Sequence, residues 1–164
     1  MDIKFSFLEK NGLSHSLPPL FDMLYENIRD IAPLLPYDEE RKEWLGEVLP
    51  AMKEDERMII LAHSGDELAG FLQYYVKDEL LVIEEAQLAK KFRRTSLILR
   101  FARFLCREVV GRVRFIEAYA HENNIISRSV IRSLGMTRIG EIADIGAIHY
   151  RGDATALFER FNRR

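Results

Sequence analysis

Residues 124–136 read Asn-Ile-Ile-Ser-Arg-Ser-Val-Ile-Arg-Ser-Leu-Gly-Met, and the fold assignment rests mainly on this segment. Asn124 is a suitable helix N-cap, because its side-chain oxygen can accept a hydrogen bond from a backbone N–H of the first turn. Gly135 is the residue type that most often follows the end of a helix, and Met136 supplies the apolar residue after it. The spacing predicts a short helix between Asn124 and Gly135, a pattern that is common by itself.

A second informative segment runs from Ile83 to Ile98 and reads Ile-Glu-Glu-Ala-Gln-Leu-Ala-Lys-Lys-Phe-Arg-Arg-Thr-Ser-Leu-Ile. Residues 80–88 have the composition of a strand, and residues 95–110 have the apolar spacing of an amphipathic helix. A strand that leads into a helix presents unpaired backbone N–H groups and the positive end of the helix dipole. Residues 93–98 lie at this junction, where a phosphate group can bind.

The rest of the chain alternates between short strands and helices. The predicted elements, in chain order, are strand 3–8, helix 17–32, a helix capped by Asp38, strands 57–62, 68–76 and 80–88, helix 95–110, strand 113–120, helix 124–135, and strands 136–145 and 154–161. Strands 57–88 form an antiparallel meander, whereas the helical crossover leaves strand 113–120 parallel to its predecessor. We therefore expect an α/β (α+β) fold, with a mixed, mostly antiparallel sheet and helices on both faces.

Composition sets the class of protein. The chain has 164 residues, of which 48% are hydrophobic and 30% charged, so we expect a single globular domain over residues 1–164. The one cysteine excludes an intramolecular disulfide and a cysteine-based zinc site, and it suits a reducing compartment. The sequence contains neither a membrane span nor the apolar core of a signal peptide, so we expect a cytoplasmic protein.

The net charge of −2 conceals an uneven distribution. Residues 86–114 hold nine basic residues and one acidic residue, a balance of +8, whereas residues 1–60 hold seven basic and thirteen acidic residues, a balance of −6. A basic segment within an acidic chain favours a local anion site over a surface that coats nucleic acid. The alternative for each individual arginine is a solvated position on a helix surface.

The order of elements and the two segments together resemble the GNAT superfamily of acyl-CoA-dependent N-acyltransferases. The family motif has an Asn, a small residue three positions later, a hydrophobic pair, and Gly-Phe eleven and twelve positions after the Asn. The residues that match this motif in register are Asn124, Ser127, Val130, Gly135 and Met136. Residues 150–154 also resemble the family segment that precedes the last strand. The resemblance covers nearly the whole chain and implies a GNAT-like fold.

The family loop that binds the pyrophosphate carries Arg or Gln, two residues, Gly, one residue, and then Gly or Ala. Arg93 fits this motif, whereas Ser96 and Ile98 replace the two glycines. The cofactor-binding residues that the resemblance implies are Leu88, Arg93, Arg94, Thr95, Ser96, Leu97, Ile98, Asn124 and Ser127. Lys90 and Lys91 add positive charge beside them. The alternative role of these residues is helix capping. Thr95 or Ser96 would cap the helix that begins near residue 95, and Asn124 would cap the helix over residues 124–135.

Catalysis of amine acylation requires a proton acceptor and a proton donor. Glu84 matches the Glu of the family's Glu-Asp strand end, so we interpret it as the acceptor, with Glu85, expected on the opposite strand face, as its substitute. Both are alternatively solvated acids at a strand end. The family commonly supplies the donor from a Tyr seven residues after the Asn, where this chain has Ile131. Tyr119 and Tyr150 are candidate replacements. His121 and His149 lack metal-ligand spacing, so we expect no metal.

The resemblance implies transfer of an acetyl or similar acyl group from acetyl-CoA, or another acyl-CoA, to an amine by direct attack in a ternary complex. The amine belongs to a small molecule or a peptide. A cationic amine is favoured by the acidic residues beside Tyr37 and Trp44, unless they only cap and solvate a helix; they are Asp38, Glu39, Glu40 and Glu43. We expect neither nucleic acid nor membrane as a partner, and a homodimer is compatible with the family. The alternative is a catalytically silent GNAT-like domain that binds CoA or a protein, because the loop glycines and the usual Tyr are absent.

Overall fold

A computed structural model describes residues 2–162 and places seven strands in one sheet. The strands are β1 (Lys4–Phe7), β2 (Met58–Ser64), β3 (Glu67–Lys77), β4 (Leu80–Leu88), β5 (Phe115–His121), β6 (Thr137–Ile142) and β7 (Ala147–Asp153). They lie in the order β1-β2-β3-β4-β5-β7-β6. Strands β4 and β5 pair in parallel, and the other five pairs are antiparallel. The mixed, mostly antiparallel sheet predicted from the sequence is confirmed.

Helices cover both faces of this sheet, as predicted. They are α1 (Leu13–Ile28), α2 (Tyr37–Lys53), α3 (Leu97–Val109), α4 (Ile125–Ser133) and α5 (Ala154–Asn162). Helices α1 and α2 pack on one face, against Ile59 and Phe71. Helices α3, α4 and α5 pack on the other face, against Ile60 and Leu72. No helix within residues 2–162 has the length and apolar character needed to cross a membrane.

Residues 154–161 form all but the last residue of helix α5, so the prediction of a closing strand there is wrong. Four apolar residues follow helical spacing and pack into the core beneath α3, namely Ala154, Leu157, Phe158 and Phe161. Asp153 supports the helix start, because its carboxylate accepts the N–H of Thr155 at 2.7 Å. The segment expected to precede the last strand, residues 150–154, is instead the end of β7 and the first residue of α5.

The first two helices begin at positions other than those predicted. Helix α1 begins at Leu13 rather than Leu17, directly after Gly12, which has a left-handed φ of 76°. Helix α2 begins at Tyr37, after Pro36, so Asp38 lies in its first turn and is not its N-cap. An acidic residue in the first turn still interacts favourably with the helix dipole.

The parallel pair β4–β5 separates partway along its length. Pairing runs from Leu80 with Phe115 to Ile83 with Ala118. Strand β4 then continues to Leu88 and β5 to His121, and within the described residues these extensions are not paired with each other. The sheet therefore has an opening between the two strands, and β4 leads from it into α3.

A β-bulge at Glu84 changes the direction of two side chains. Gln73 pairs with Glu85 and Tyr74 with Ile83, so Glu84 is the extra residue of β4. A bulge places two residues of one strand opposite one residue of its partner, which breaks the strict alternation of side chains. Glu84 and Glu85 both point towards α1 and α2, where they line neighbouring cavities. The expectation that they lie on opposite faces is wrong.

Candidate active site

The opening between β4 and β5 is bordered by the carbonyl group of Leu88. The N–H of Ala89 bonds to Ala69 of β3 at 3.0 Å, so alternation along the strand directs the Leu88 carbonyl away from β3. This carbonyl accepts the side-chain amide of Asn27 from α1 at 3.0 Å. Asn27 also donates to Gln87 at 2.9 Å. Asn27 and Gln87 are sixty residues apart in the chain, and no local sequence pattern indicates this contact.

The turn from β4 into α3 has an ordinary right-handed backbone. Residues 90–92 form a 3₁₀ turn, and Ser96, at the N-cap position, has φ −76° and ψ 11°. A non-glycine residue adopts these angles without strain, so the fold of the turn does not require the family glycine. Thr95 stabilises the turn, because its hydroxyl donates to the carbonyl of Phe92 at 2.7 Å and accepts the N–H of Leu97 at 3.2 Å.

The predicted cofactor residues of this turn differ in what they offer a ligand. Leu97 is fully buried and its N–H is already bound by Thr95, whereas Ile98 is half-buried and Ser96 is exposed. Within the described part of the chain, the N–H groups of Arg94, Ser96 and Ile98 have no hydrogen-bond partner. Such groups in and before a first helical turn can bind an anion.

The segment 90–94 carries four cationic side chains, and two of them already contact other side chains of the protein. The Arg93 guanidinium donates to the side-chain oxygen of Asn27. Lys91 pairs with Glu67 and lies 5.0 Å from the ring centre of Phe92. Lys90 and Arg94 are exposed and have no ion-pair partner among residues 2–162.

On the other side of the opening, the predicted residues cap a helix. The side-chain oxygen of Asn124 accepts the N–H of Ser127 at 3.0 Å, as an N-cap does at α4. Ile131, at the family's Tyr position, is buried in the core. Tyr150 is only 2% exposed in that core, and its hydroxyl accepts a hydrogen bond from Arg128 at 3.3 Å. Tyr150 therefore lies beneath α4, on the face opposite the two carboxylates.

Glu84 is held by a cation and an amide. Its carboxylate is 2.8 Å from Nε of Arg57 and accepts Nε2 of Gln73 at 2.9 Å. The side chains of Glu84 and Arg57 are about four-fifths buried, with exposed fractions of 19% and 21%. Glu84 also borders a groove of about 750 Å³ beneath the end of α2. The other side-chain atom of Gln73, Oε1, is buried and has no donor among the described residues.

Glu85 lies in different surroundings. It lines a cavity of about 160 Å³ with Phe21, Tyr25 and Trp44. Its carboxylate accepts the side-chain amide of Gln87 at 2.9 Å. Burial raises the pKa of Glu85 to about 7, with the hydrogen bond from Gln87 opposing the shift and the negative charge of Glu84 adding to it. A carboxylate with this pKa can accept a proton near neutral pH.

Tyr119 of β5 lies on the same face of the sheet as Glu84 and Glu85. It follows Ala118, which forms the last β4–β5 pair with Ile83. Tyr119 is 40% exposed. Its ring stacks on that of His149 of β7, with 4.4 Å between the ring centres and 9° between the planes. Burial raises the pKa of the Tyr119 hydroxyl, and the nearby charge of Glu117 raises it further. The hydroxyl therefore stays protonated and can donate.

Glu117 was not identified from the sequence. Its carboxylate is almost fully buried and accepts hydrogen bonds from His149 at 2.9 Å and Arg151 at 3.0 Å. The sequence does contain a signal for it. Glu117 lies between two apolar residues in a strand, and His149 and Arg151 are two positions apart, so both can point to the same face of another strand. Within residues 2–162, no three His, Cys, Asp or Glu side chains are grouped so that they could hold a metal ion.

No protein-family model and no curated protein matches the sequence. Solved structures do match. The PaiA N-acetyltransferase of Thermoplasma acidophilum, in complex with coenzyme A, has a TM-score of 0.71 at 12% identity, over 93% of this chain and 99% of its own. A GNAT-family protein of Desulfovibrio desulfuricans has a TM-score of 0.71 at 14% identity, over 93% of this chain and 99% of its own.

A third similar structure, the ribosomal-protein-S5-alanine acetyltransferase of Vibrio fischeri, has a TM-score of 0.69 at 12% identity, over 94% of both chains. At such low identity the likeness concerns the backbone arrangement, which extends over nearly the whole chain. The expectation from the two sequence motifs is confirmed at this level: the chain has the GNAT acetyltransferase fold.

Proposed function

We propose that this protein is an N-acyltransferase that moves an acetyl or similar small acyl group from acyl-CoA to an amine, by direct attack in a ternary complex. The observation that carries the proposal is the opening between β4 and β5, with the start of α3 at its mouth and Glu85 and Tyr119 at its edge on one face. The PaiA enzyme, which has the same fold, was crystallised with coenzyme A, which supports an acyl-CoA as the ligand.

The chain's own groups fit the diphosphate of an acyl-CoA. The N-terminus of α3 has no acidic residue in its first turn, and the N–H groups of Arg94, Ser96 and Ile98 are available there. Lys90 and Arg94 provide exposed positive charge beside them. Backbone N–H groups at a helix start and nearby cations together make an anion site. Asn124 and Ser127 border the other side of the opening, where the pantetheine arm would pass.

The proposed reaction joins a neutral amine to the acyl carbon that the thioester supplies in activated form. Glu85 accepts one proton from the incoming ammonium, the C–N bond forms, and the C–S bond breaks. Tyr119 donates its hydroxyl proton to the sulfur and regains one from the nitrogen, through water. The products are an amide, free CoA thiol and one proton that Glu85 returns to solvent.

We place Glu85, rather than Glu84, in the role of proton acceptor. Glu84 is occupied by Arg57 and Gln73, whose side chains bind its carboxylate and compete with an incoming amine. Glu85 has an amide partner but no cation among the described residues. Glu84 then serves to fix Arg57 beneath α2.

A catalytically silent domain that binds CoA or a partner is the second candidate. It is favoured by the contacts of Asn27, which already occupies the Leu88 carbonyl and the Arg93 guanidinium at the mouth of the opening. In this case acyl-CoA binds without any acceleration of thiol release by amines.

Binding is tested by thermal unfolding with acetyl-CoA. At 100 times its dissociation constant, the ligand stabilises the folded chain by about 2.7 kcal/mol. Arg94→Gln should weaken binding, because it removes one exposed cation at the α3 start, whereas Arg138→Gln on β6 should leave it unchanged. Absence of a thermal shift at millimolar acetyl-CoA would contradict both the acyltransferase and a silent domain that binds CoA, and it would leave only a silent domain that binds a protein partner.

A further inference from the structure

We propose that Asn27 and Gln87 are positioning residues that couple Arg93, before the start of α3, to the carboxylate of Glu85. Three hydrogen bonds in series connect these four side chains. The coupling is a property of the folded chain alone. Its use in catalysis rests on the proposed function, in which a diphosphate binds beside Arg93 and Glu85 accepts a proton.

Every bond of this series is donated in the direction of the carboxylate. The Arg93 guanidinium donates to Oδ1 of Asn27, and Nδ2 of Asn27 donates to Oε1 of Gln87 at 2.9 Å. Nε2 of Gln87 then donates to Glu85 at 2.9 Å. The orientation of the Asn27 amide is fixed, because a guanidinium only donates and the Leu88 carbonyl, which accepts Nδ2 at 3.0 Å, cannot donate. Hydrogen bonds in series polarise one another, so the strength of the last bond depends on the first.

The fold brings the four groups together. Glu85 and Gln87 are two residues apart in β4, so their side chains lie on the same face of the sheet. Asn27 lies in the last turn of α1, which packs on that face. Arg93 is exposed, and its Nε lies 3.5 Å from the Leu88 carbonyl at the mouth of the opening. One end of the series is therefore accessible to a ligand, and the other end is the proposed proton acceptor.

Arg93 is the member of the series that a diphosphate can reach. An arginine binds a charged phosphate oxygen more strongly than a neutral amide oxygen, so Arg93 exchanges Asn27 for the diphosphate. Asn27 then donates less strongly to Gln87, and Gln87 donates less strongly to Glu85. Burial raises the pKa of Glu85 and the bond from Gln87 lowers it. Weakening of that bond makes Glu85 a stronger base once the acyl donor is in place.

Other ionisable groups near Glu85 lie outside the series. Among the described residues they are Glu84 beside it on β4, and Tyr25 of α1 and Glu40 of α2 in its cavity. Substitutions at Arg93 leave these neighbours in place. A change in the titration of Glu85 then reports on the series of hydrogen bonds.

The coupling is tested by NMR titration of the full chain without ligand, isotopically labelled in its glutamate carboxyl carbons. Glu85→Gln lacks one signal and so identifies it. Arg93→Met should raise the titration midpoint of Glu85 by about 0.2–0.4 pH units, and Gln87→Leu should raise it by about one unit. Arg94→Met removes the same charge one residue away and should leave the midpoint unchanged. Equal shifts in the two arginine variants, or a shift in neither, would overturn the proposal.

Asn27→Leu interrupts the series at its centre with a side chain of similar size. It should raise the midpoint at least as much as Arg93→Met, and the double variant should raise it no further, because both act on one series. Asn123→Leu is the matched control, since Asn123 donates to the carbonyl of Ile31 at 3.3 Å, beyond the end of α1 and outside the series. A shift in this control equal to that in Asn27→Leu, or additive shifts in the double variant, would overturn the proposal. Circular dichroism melts verify that each variant folds.

Coenzyme A is the probe for the diphosphate. At saturation it should raise the midpoint of Glu85 in the unaltered protein, and by less in Asn27→Leu. Equal rises in the two would overturn the coupling while the proposed function stands, because the ligand has bound. Shifts in the ligand-free variants without any response to coenzyme A would contradict the acyl-CoA function instead and support the coupling of Arg93 to Glu85.

Discussion

On the face of the sheet covered by α3, α4 and α5, strand residues such as Ile116, Ala118 and Leu81 are apolar and almost fully buried. The face beneath α1 and α2 carries Glu84 and Glu85 on the same sheet. Buried ionisable groups lower stability unless partners compensate for lost hydration. The second face also has an apolar core, which includes Ile59 and Phe71, but near the β4–β5 opening it retains groups suited to binding and proton transfer.

The substitution Glu85→Gln tests this difference between the two faces of the sheet most directly. The substitution removes the proposed proton acceptor, so kcat should fall by about 10²-fold to 10⁴-fold while acetyl-CoA affinity is retained. Steady-state kinetics with a saturating amine measures the effect. Glu84→Gln is the matched control, one residue away with the same loss of charge, and it should retain most of the turnover. A larger loss in Glu84→Gln than in Glu85→Gln would reassign the proton acceptor to Glu84.

Phe101→Ala tests the opposite face. Phe101 is fully buried in α3, and its ring packs edge-on against Phe5 at 5.1 Å. Loss of such a side chain lowers the free energy of unfolding by about 3–5 kcal/mol. Urea unfolding measures this, and Glu85→Gln should show no comparable loss. Similar losses in both variants would remove the distinction between the faces.

Tyr119→Phe should lower kcat, because it removes the proposed proton donor. The decrease should not exceed about 10²-fold, because a thiolate can leave without full protonation. The aromatic ring and its stacking on His149 are retained, so KM and thermal stability should stay close to those of the unaltered protein. A kcat unaffected by the substitution would exclude Tyr119 as the proton donor.

The smallest expected effect is a dependence of stability on pH. The pKa of Glu85 is about 7 in the folded chain, against an ordinary value of 4.5. The folded state therefore holds more protons than the unfolded state between these values. This group's contribution to the free energy of unfolding is fully present below about pH 4.5 and is lost as pH rises through about 7.

Urea unfolding between pH 4 and pH 8, as test values, measures this contribution as the difference between the unaltered chain and Glu85→Gln, which lacks the titrating group. Identical slopes in the two proteins would show that Glu85 titrates normally.

Local patterns in the sequence predicted much of the fold, because strand composition and helix caps act over a few residues. Strand β4 lies at the predicted residues 80–88, and Asn124 caps α4 as its spacing indicated. The helix over residues 154–162 was missed although its apolar spacing is helical.

The site was less predictable because it depends on pairings between distant residues. The bulge that turns Glu84 and Glu85 to one face follows from the register of β3 and β4. The contact of Glu117 with Arg151 requires β5 to lie beside β7. The aromatic cavity exists only once α1 and α2 dock together. None of these arrangements has a signature within a short stretch of sequence.

The most direct test of the acyltransferase is the rate at which acetyl-CoA releases free thiol with and without n-butylammonium. We expect the amine to accelerate release in a saturable way, with one equivalent of N-butylacetamide formed per thiol and a strong decrease in Glu85→Gln. A rate that the amine leaves unchanged, both for butylammonium and for a broader panel of primary amines, would contradict it.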